Sequence, residues 1–161
     1  MKNGFTVIEL VIVIILLAIL SVTALPKFID MRSEALSARM QAVGGTINSA
    51  KNIVYAAALA QGKQDEYFTP SSGIASSTDQ PEVKGVSIEY GYPKATVGAI
   101  MAATSLKLHR DGKSGDYGFK KITTTFIIFP NGFNKNEQCT VTYFQATASE
   151  PARVETDTNG C

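Results

Sequence analysis

From Leu10 to Leu20 every residue of this chain is apolar, and the wider stretch from Phe5 to Leu25 is broken only by Thr6, Glu9, Ser21 and Thr23. As a helix, such a stretch spans roughly 30 Å, the hydrocarbon thickness of a bilayer. A helix apolar on every side cannot sit on the surface of a soluble domain; it needs lipid or other helices around it. Beyond this stretch the chain reads as a soluble protein, and its 161 residues suffice for one ordinary domain plus an appendage. Two plain readings of the start are a secretory signal peptide, with Lys2 as its basic residue, and a simple membrane anchor.

Glu9 argues against both. An ionised carboxylate in a membrane helix is costly and normally has a partner. A passive anchor gains nothing from it, and the apolar run holds no cation. The nearest candidate is a new α-amino group, created if the chain is cut just before Phe5. Within one helix, residues 5 and 9 share a face but sit near the same depth. A neighbouring identical helix, shifted along the axis, would bring its amine to Glu9.

The segment Gly4-Phe5-Thr6-Val7-Ile8-Glu9-Leu10 resembles the processing site of type IV prepilins. The resemblance implies that a dedicated peptidase cuts between Gly4 and Phe5 and then N-methylates Phe5. It also implies that Glu9 pairs with the terminal amine of an adjacent subunit, with Thr6, Phe5 and Pro26 as further assembly positions. Ala24-Leu25-Pro26-Lys27-Phe28, Gly91-Tyr92-Pro93 and the ending from Cys139-Thr140-Val141-Thr142-Tyr143 to Gly160-Cys161 look like the mannose-sensitive haemagglutinin pilins. That closer likeness implies surface attachment, with a carbohydrate or another surface ligand. Many family members carry a glycine in the middle of the apolar run, and Ala18 stands near that place here. Pro26 is present; its missing N–H removes the helical bond to the carbonyl of Val22. The family's filaments unwind the helix in this zone, for which this chain lacks the glycine.

The helical signal continues past Pro26. Leu36, Met40, Val43, Ile47, Ala50, Val54 and Ala57 step by four and three alternately, the pattern of one core-facing side of an amphipathic helix or of a two-helix coiled coil. Gly44-Gly45 interrupts it at roughly 1 kcal/mol each relative to alanine, which predicts close packing by another backbone, or a bend. Residues 5–61 thus form one expected helix of about 85 Å. Residues 62–81 read as a polar surface loop. Strands are expected over Val83–Tyr90, Thr123–Phe129, Thr140–Gln145 and Ala152–Thr156, with a short helix over Thr96–Leu108. The fold class is α+β: a long N-terminal helix packed on a small antiparallel sheet of about four strands. The expected division is a cleaved leader at 1–4, a hydrophobic transmembrane and assembly helix at 5–26, an amphipathic half at 27–61, and a head at 62–161.

Cys139 and Cys161 are not spaced as Cys-X-X-Cys, so neither a redox motif nor a zinc motif is supported. In an exported chain two cysteines point to one disulfide, here closing a loop over 139–161. The alternative is two unrelated buried thiols, although Cys161, the last residue, has little reason to be buried for packing alone.

Catalytic chemistry is not legible. Fifteen Lys and Arg face fourteen Asp and Glu, so no basic surface for nucleic acid is implied. His109 is the one histidine and reads as a solvated residue at a helix end. Gly112-Lys113-Ser114 echoes the end of a phosphate loop, but Lys107 stands where its first glycine belongs. Asp65-Glu66 and Asp111/Asp116 are ordinary surface carboxylates. Glu150, Glu155 and Asp157 are too dispersed to hold calcium. No cofactor or metal is expected, and no enzyme. The expected partners are further copies of this chain in a homopolymer, a prepilin peptidase and methyltransferase, the pilus assembly machinery, and the inner membrane before assembly. The expected destination is an extracellular fimbrium. The competing readings are a pseudopilin of a type II secretion system and an exported enzyme with an ordinary signal peptide.

Overall fold

A computed structural model describes residues 6–67, 81–110, 115–133 and 138–161, the side chains of 23–30 excepted. It divides into two compact units, one ending at Leu36 and the other running from Ser37 to Cys161. The helix α1 covers Val7–Ala60. Its backbone stays helical through position 26 in the single subunit. A chain without a glycine in the run keeps the propensity to hold the turn on both sides of a single proline. At its end Gly62 takes a left-handed φ of 68°, and the Lys63 N–H folds back onto the carbonyl of Ala58 at 2.9 Å. This reversal needs no Cβ and satisfies carbonyls that the helix leaves open.

In the second unit the stripe on α1 faces the core: Met40, Val43, Ile47, Ala50 and Val54 are buried. Of the adjacent glycines, Gly44 is the buried one. A Cβ there would lie 2.3 Å from the Thr156 hydroxyl, whereas one on Gly45 would meet nothing. The expected close approach is thus real, but its partner is a side chain of a strand.

Among the described residues eight strands form two sheets, where about four in one sheet were expected. The first sheet holds β1 (Glu82–Val83), β2 (Val86–Glu89) and β3 (Tyr92–Pro93), all antiparallel. The single strand expected over Val83–Tyr90 is therefore two strands and a turn. Lys84-Gly85 and Tyr90-Gly91 each close a two-residue hairpin with both φ values positive, the geometry whose usual sequence is Asn-Gly. Without that signal the alternation carried straight through. The helix α2 (Val97–Thr104) is shorter than expected, because Ser105 stops it in the left-handed region.

The second sheet has the order β4 (Leu108–His109), β5 (Tyr117–Ile122), β6 (Thr125–Pro130), β7 (Thr140–Phe144) and β8 (Arg153–Asp157). It is antiparallel apart from the short β4–β5 pair. β5 was missed, since Lys120 and Lys121 break its apolar pattern on an exposed stretch. The Tyr143 hydroxyl on β7 donates to the carbonyl of Pro93 on β3 at 2.5 Å, and just beyond these strands the Ala95 N–H donates to Gln145 at 2.9 Å. A second apolar cluster gathers Val54 and Ala58 of α1 with Val83, Val86, Ile88 and Ala99.

Candidate functional site

The start of α1 is a reciprocal cap. Thr6 precedes the first helical residue, and the Leu10 N–H reaches its carbonyl at 3.3 Å. The Thr6 backbone N–H donates to Glu9 Oε2 at 2.9 Å, and the Thr6 hydroxyl donates to the same oxygen at 2.8 Å. In return the Glu9 N–H reaches Thr6 Oγ1 at 3.4 Å. This is a capping box, Thr-x-x-Glu, in which each end satisfies a backbone donor left open by the helix. Its signature stood in the sequence and was overlooked, because attention to a missing cation hid a neutral partner three residues away.

Around this cap the surface is apolar. Val7, Ile8 and Leu10 to Leu17, like Ile19, Leu20 and Val22, are exposed, from 40% at Val11 to 78% at Val7. A contiguous apolar surface of this kind marks an interaction site. Among the described residues no helix is long and apolar enough to cross a membrane. The span expected over residues 5–26 reaches beyond them, since Phe5 and the side chains of 23–26 are not described. Gly4, Phe5 and the Pro26 ring likewise lie outside the described residues.

The cysteines are brought together. Cys139 and Cys161 form a disulfide with Cα atoms 4.8 Å apart, and Cys139 is fully buried. The bond ties the residue before β7 to the end of the chain beyond β8. The Gly160 N–H donates to the carbonyl of Gln138 at 2.6 Å, so the closure carries backbone pairing as well. Of the other residues weighed from sequence, His109 lies on β4 with its ring against Gly115, and Glu155 pairs with Arg153 at 3.6 Å. Among the described residues no group of His, Cys, Asp and Glu could hold a metal ion. Residues 111–114, which include the Gly-Lys-Ser segment, lie outside the described residues.

The type IV narrow pilus major component PilA5 of Thermus thermophilus is 31% identical to this chain over 116 residues, which cover 70% of this chain and 90% of that protein. No family model matches the chain, and no solved structure matches it significantly. A long helix that begins with a lone, capped carboxylate and an exposed apolar surface, then carries an α+β head, agrees with that likeness. The chain belongs to the type IV pilin family.

Proposed function

We propose that the chain is a precursor cut between Gly4 and Phe5, and that the mature subunit polymerises through residues 5–26 into an extracellular filament. The carrying observation is the capped Glu9 at the head of an exposed apolar helix. Bundling such helices covers the apolar surface and encloses Glu9 in a medium of low dielectric, where a carboxylate needs an ionic partner. The α-amine of Phe5 on a neighbouring subunit, shifted along the axis, is that partner. Until it arrives, Thr6 holds the carboxylate within its own first turn. Docking therefore exchanges two neutral hydrogen bonds for a charged pair, and the pair selects the axial register that aliphatic surfaces alone leave free.

Glu9→Val should be cleaved and remain in the membrane but form no fibres, and Glu9→Gln should assemble poorly. Electron microscopy of a strain whose only copy is Glu9→Val checks this; abundant normal fibres would mean that apolar packing alone sets the register. The intact mass of the purified chain checks the processing. Loss of four residues with gain of one methyl is expected, and loss of some twenty-five would make the start an ordinary signal peptide.

A surface filament is favoured over a secretion pseudopilin by the likeness to a pilus major component. Its role is attachment, in the manner of the mannose-sensitive haemagglutinin pilins that the sequence resembles. Shearing cells and finding this chain in the released fibres supports that reading. Its confinement to the periplasm would support the pseudopilin.

A further inference from the structure

Three segments far apart in sequence meet at a cleft of about 220 Å³ in the second unit. Tyr55 comes from α1, with Gln64 and Asp65 just beyond its end. Tyr90 and Tyr92 come from the β2–β3 hairpin, and Thr147 to Pro151 from the connection between β7 and β8. Tyr55 and Tyr92 stack at 4.4 Å between centroids, and Tyr90 stacks on Tyr67 at 5.2 Å. The walls are held firmly. A Cβ on Gly91 would lie 3.0 Å from both Gln64 and Tyr55, and the Tyr90 N–H donates to the carbonyl of Glu66 at 2.8 Å. The opposite wall is braced by its own turn, with Thr147 N–H donating to Glu150 O at 2.9 Å and Glu150 N–H to Thr147 Oγ1 at 3.1 Å.

Two features of the lining bear on its ligand. Asp65 and Glu150 both border the cleft, and neither is in a salt bridge among the described residues. Among the described residues no Lys, Arg or His lines it. The nearby Lys51 donates to the carbonyl of Ala152 at 3.1 Å and keeps its charge 5.9 Å from the Tyr92 ring, which leaves Tyr55 and Tyr90 as the rings for a second cation. Tyr90, moreover, takes φ 50° at a turn position that asparagine or glycine fills without strain. Asp65 accepts from Gln64 Nε2 at 3.1 Å, a neutral donor that leaves its charge uncompensated. Rings with a negative π-face beside such carboxylates attract an organic cation.

We infer that this cleft binds a small ammonium ion, alkylated or quaternary, against the tyrosine rings with Asp65 and Glu150 as counter-charges. The chain has six tyrosines and no tryptophan, so tyrosine emission, half of whose sources line the cleft, is not masked by indole. The mature full-length chain in non-ionic detergent is titrated with choline and, separately, with 3,3-dimethylbutan-1-ol, its uncharged isostere. A saturable change with choline is expected, with the isostere weaker by roughly 3- to 30-fold, the range of a cation–π contact. Glu150→Gln should weaken choline several-fold. Tyr90→Asn suits the turn, so it should keep the melting temperature while losing choline binding. Equal response to the isostere, no saturable response to choline, or unchanged choline binding by Tyr90→Asn would each overturn the inference.

Discussion

Tyr143 is fully buried on β7, and its hydroxyl donates to the Pro93 carbonyl. Burial, with Tyr92 close by, pushes its pKa well above the usual tyrosine value of 10.0, and burial raises Tyr92 in the same direction. In both cases the fold prefers the neutral phenol. Below about pH 10 the folded and unfolded chains are neutral alike, and the full stability is present. Above it the unfolded chain releases protons that the folded chain keeps, so stability falls as pH rises. Alkaline unfolding should therefore begin above about pH 10, as followed by circular dichroism. Tyr143→Phe should flatten that slope while costing about 1 to 3 kcal/mol at neutral pH, because the Pro93 carbonyl loses its donor. Glu9 shows a different economy at this scale. Among the described residues its carboxylate uses the backbone and hydroxyl of Thr6. Thr6→Val should thus leave an uncapped helix start and a carboxylate without its waiting partner, and fibre yield in that strain measures the result.

Among the elements, α1 carries the clearest test. Gly44 and Gly45 are neighbours in sequence with opposite surroundings. Gly45→Ala should stabilise by about 0.5 to 1 kcal/mol, since the helix gains propensity at an open position. Gly44→Ala should destabilise by about 1 to 3 kcal/mol, since Thr156 must move. Thermal melts of the two variants should shift in opposite directions. Long helices and their buried faces were legible in the sequence because a period of 3.6 repeats over many residues. Met40, Val43, Ile47, Ala50 and Val54 all lie inside as that period requires. Short strands were not legible. β1, β3 and β4 have two residues each, too few for any alternation to register. Their turns also use Lys84 and Tyr90 where the recognisable residue is asparagine. The cleft was invisible for a related reason: Tyr55, Asp65, Tyr90 and Glu150 form no spacing, and only the fold brings them to one place. The Thr6–Glu9 cap, by contrast, was legible and was missed.

For the whole molecule the disulfide is the main staple. It spans 22 residues of separation and encloses β7 and β8. Constraining a loop of that size in the unfolded chain contributes about 3 kcal/mol in the chain-entropy view, a large share of an ordinary domain's roughly 5 to 15 kcal/mol. Cys161→Ser should lower the urea midpoint accordingly and reduce the amount of stable subunit in cells. Two free thiols found by alkylating native fibres would remove the bond from the account.

The placement of β8 also bears on the order in which the subunit can be finished. Ser37 donates to Thr158 across 121 residues of chain, and Lys51 donates to Ala152 across 101. The helix emerges early in synthesis, yet the contacts that cover its face wait for the final strand. A chain cut before Ala152, and so without β8, therefore keeps α1 but leaves Ser37 and Lys51 without these acceptors. Such a chain should be more readily digested than the whole chain, which limited proteolysis of the two would show.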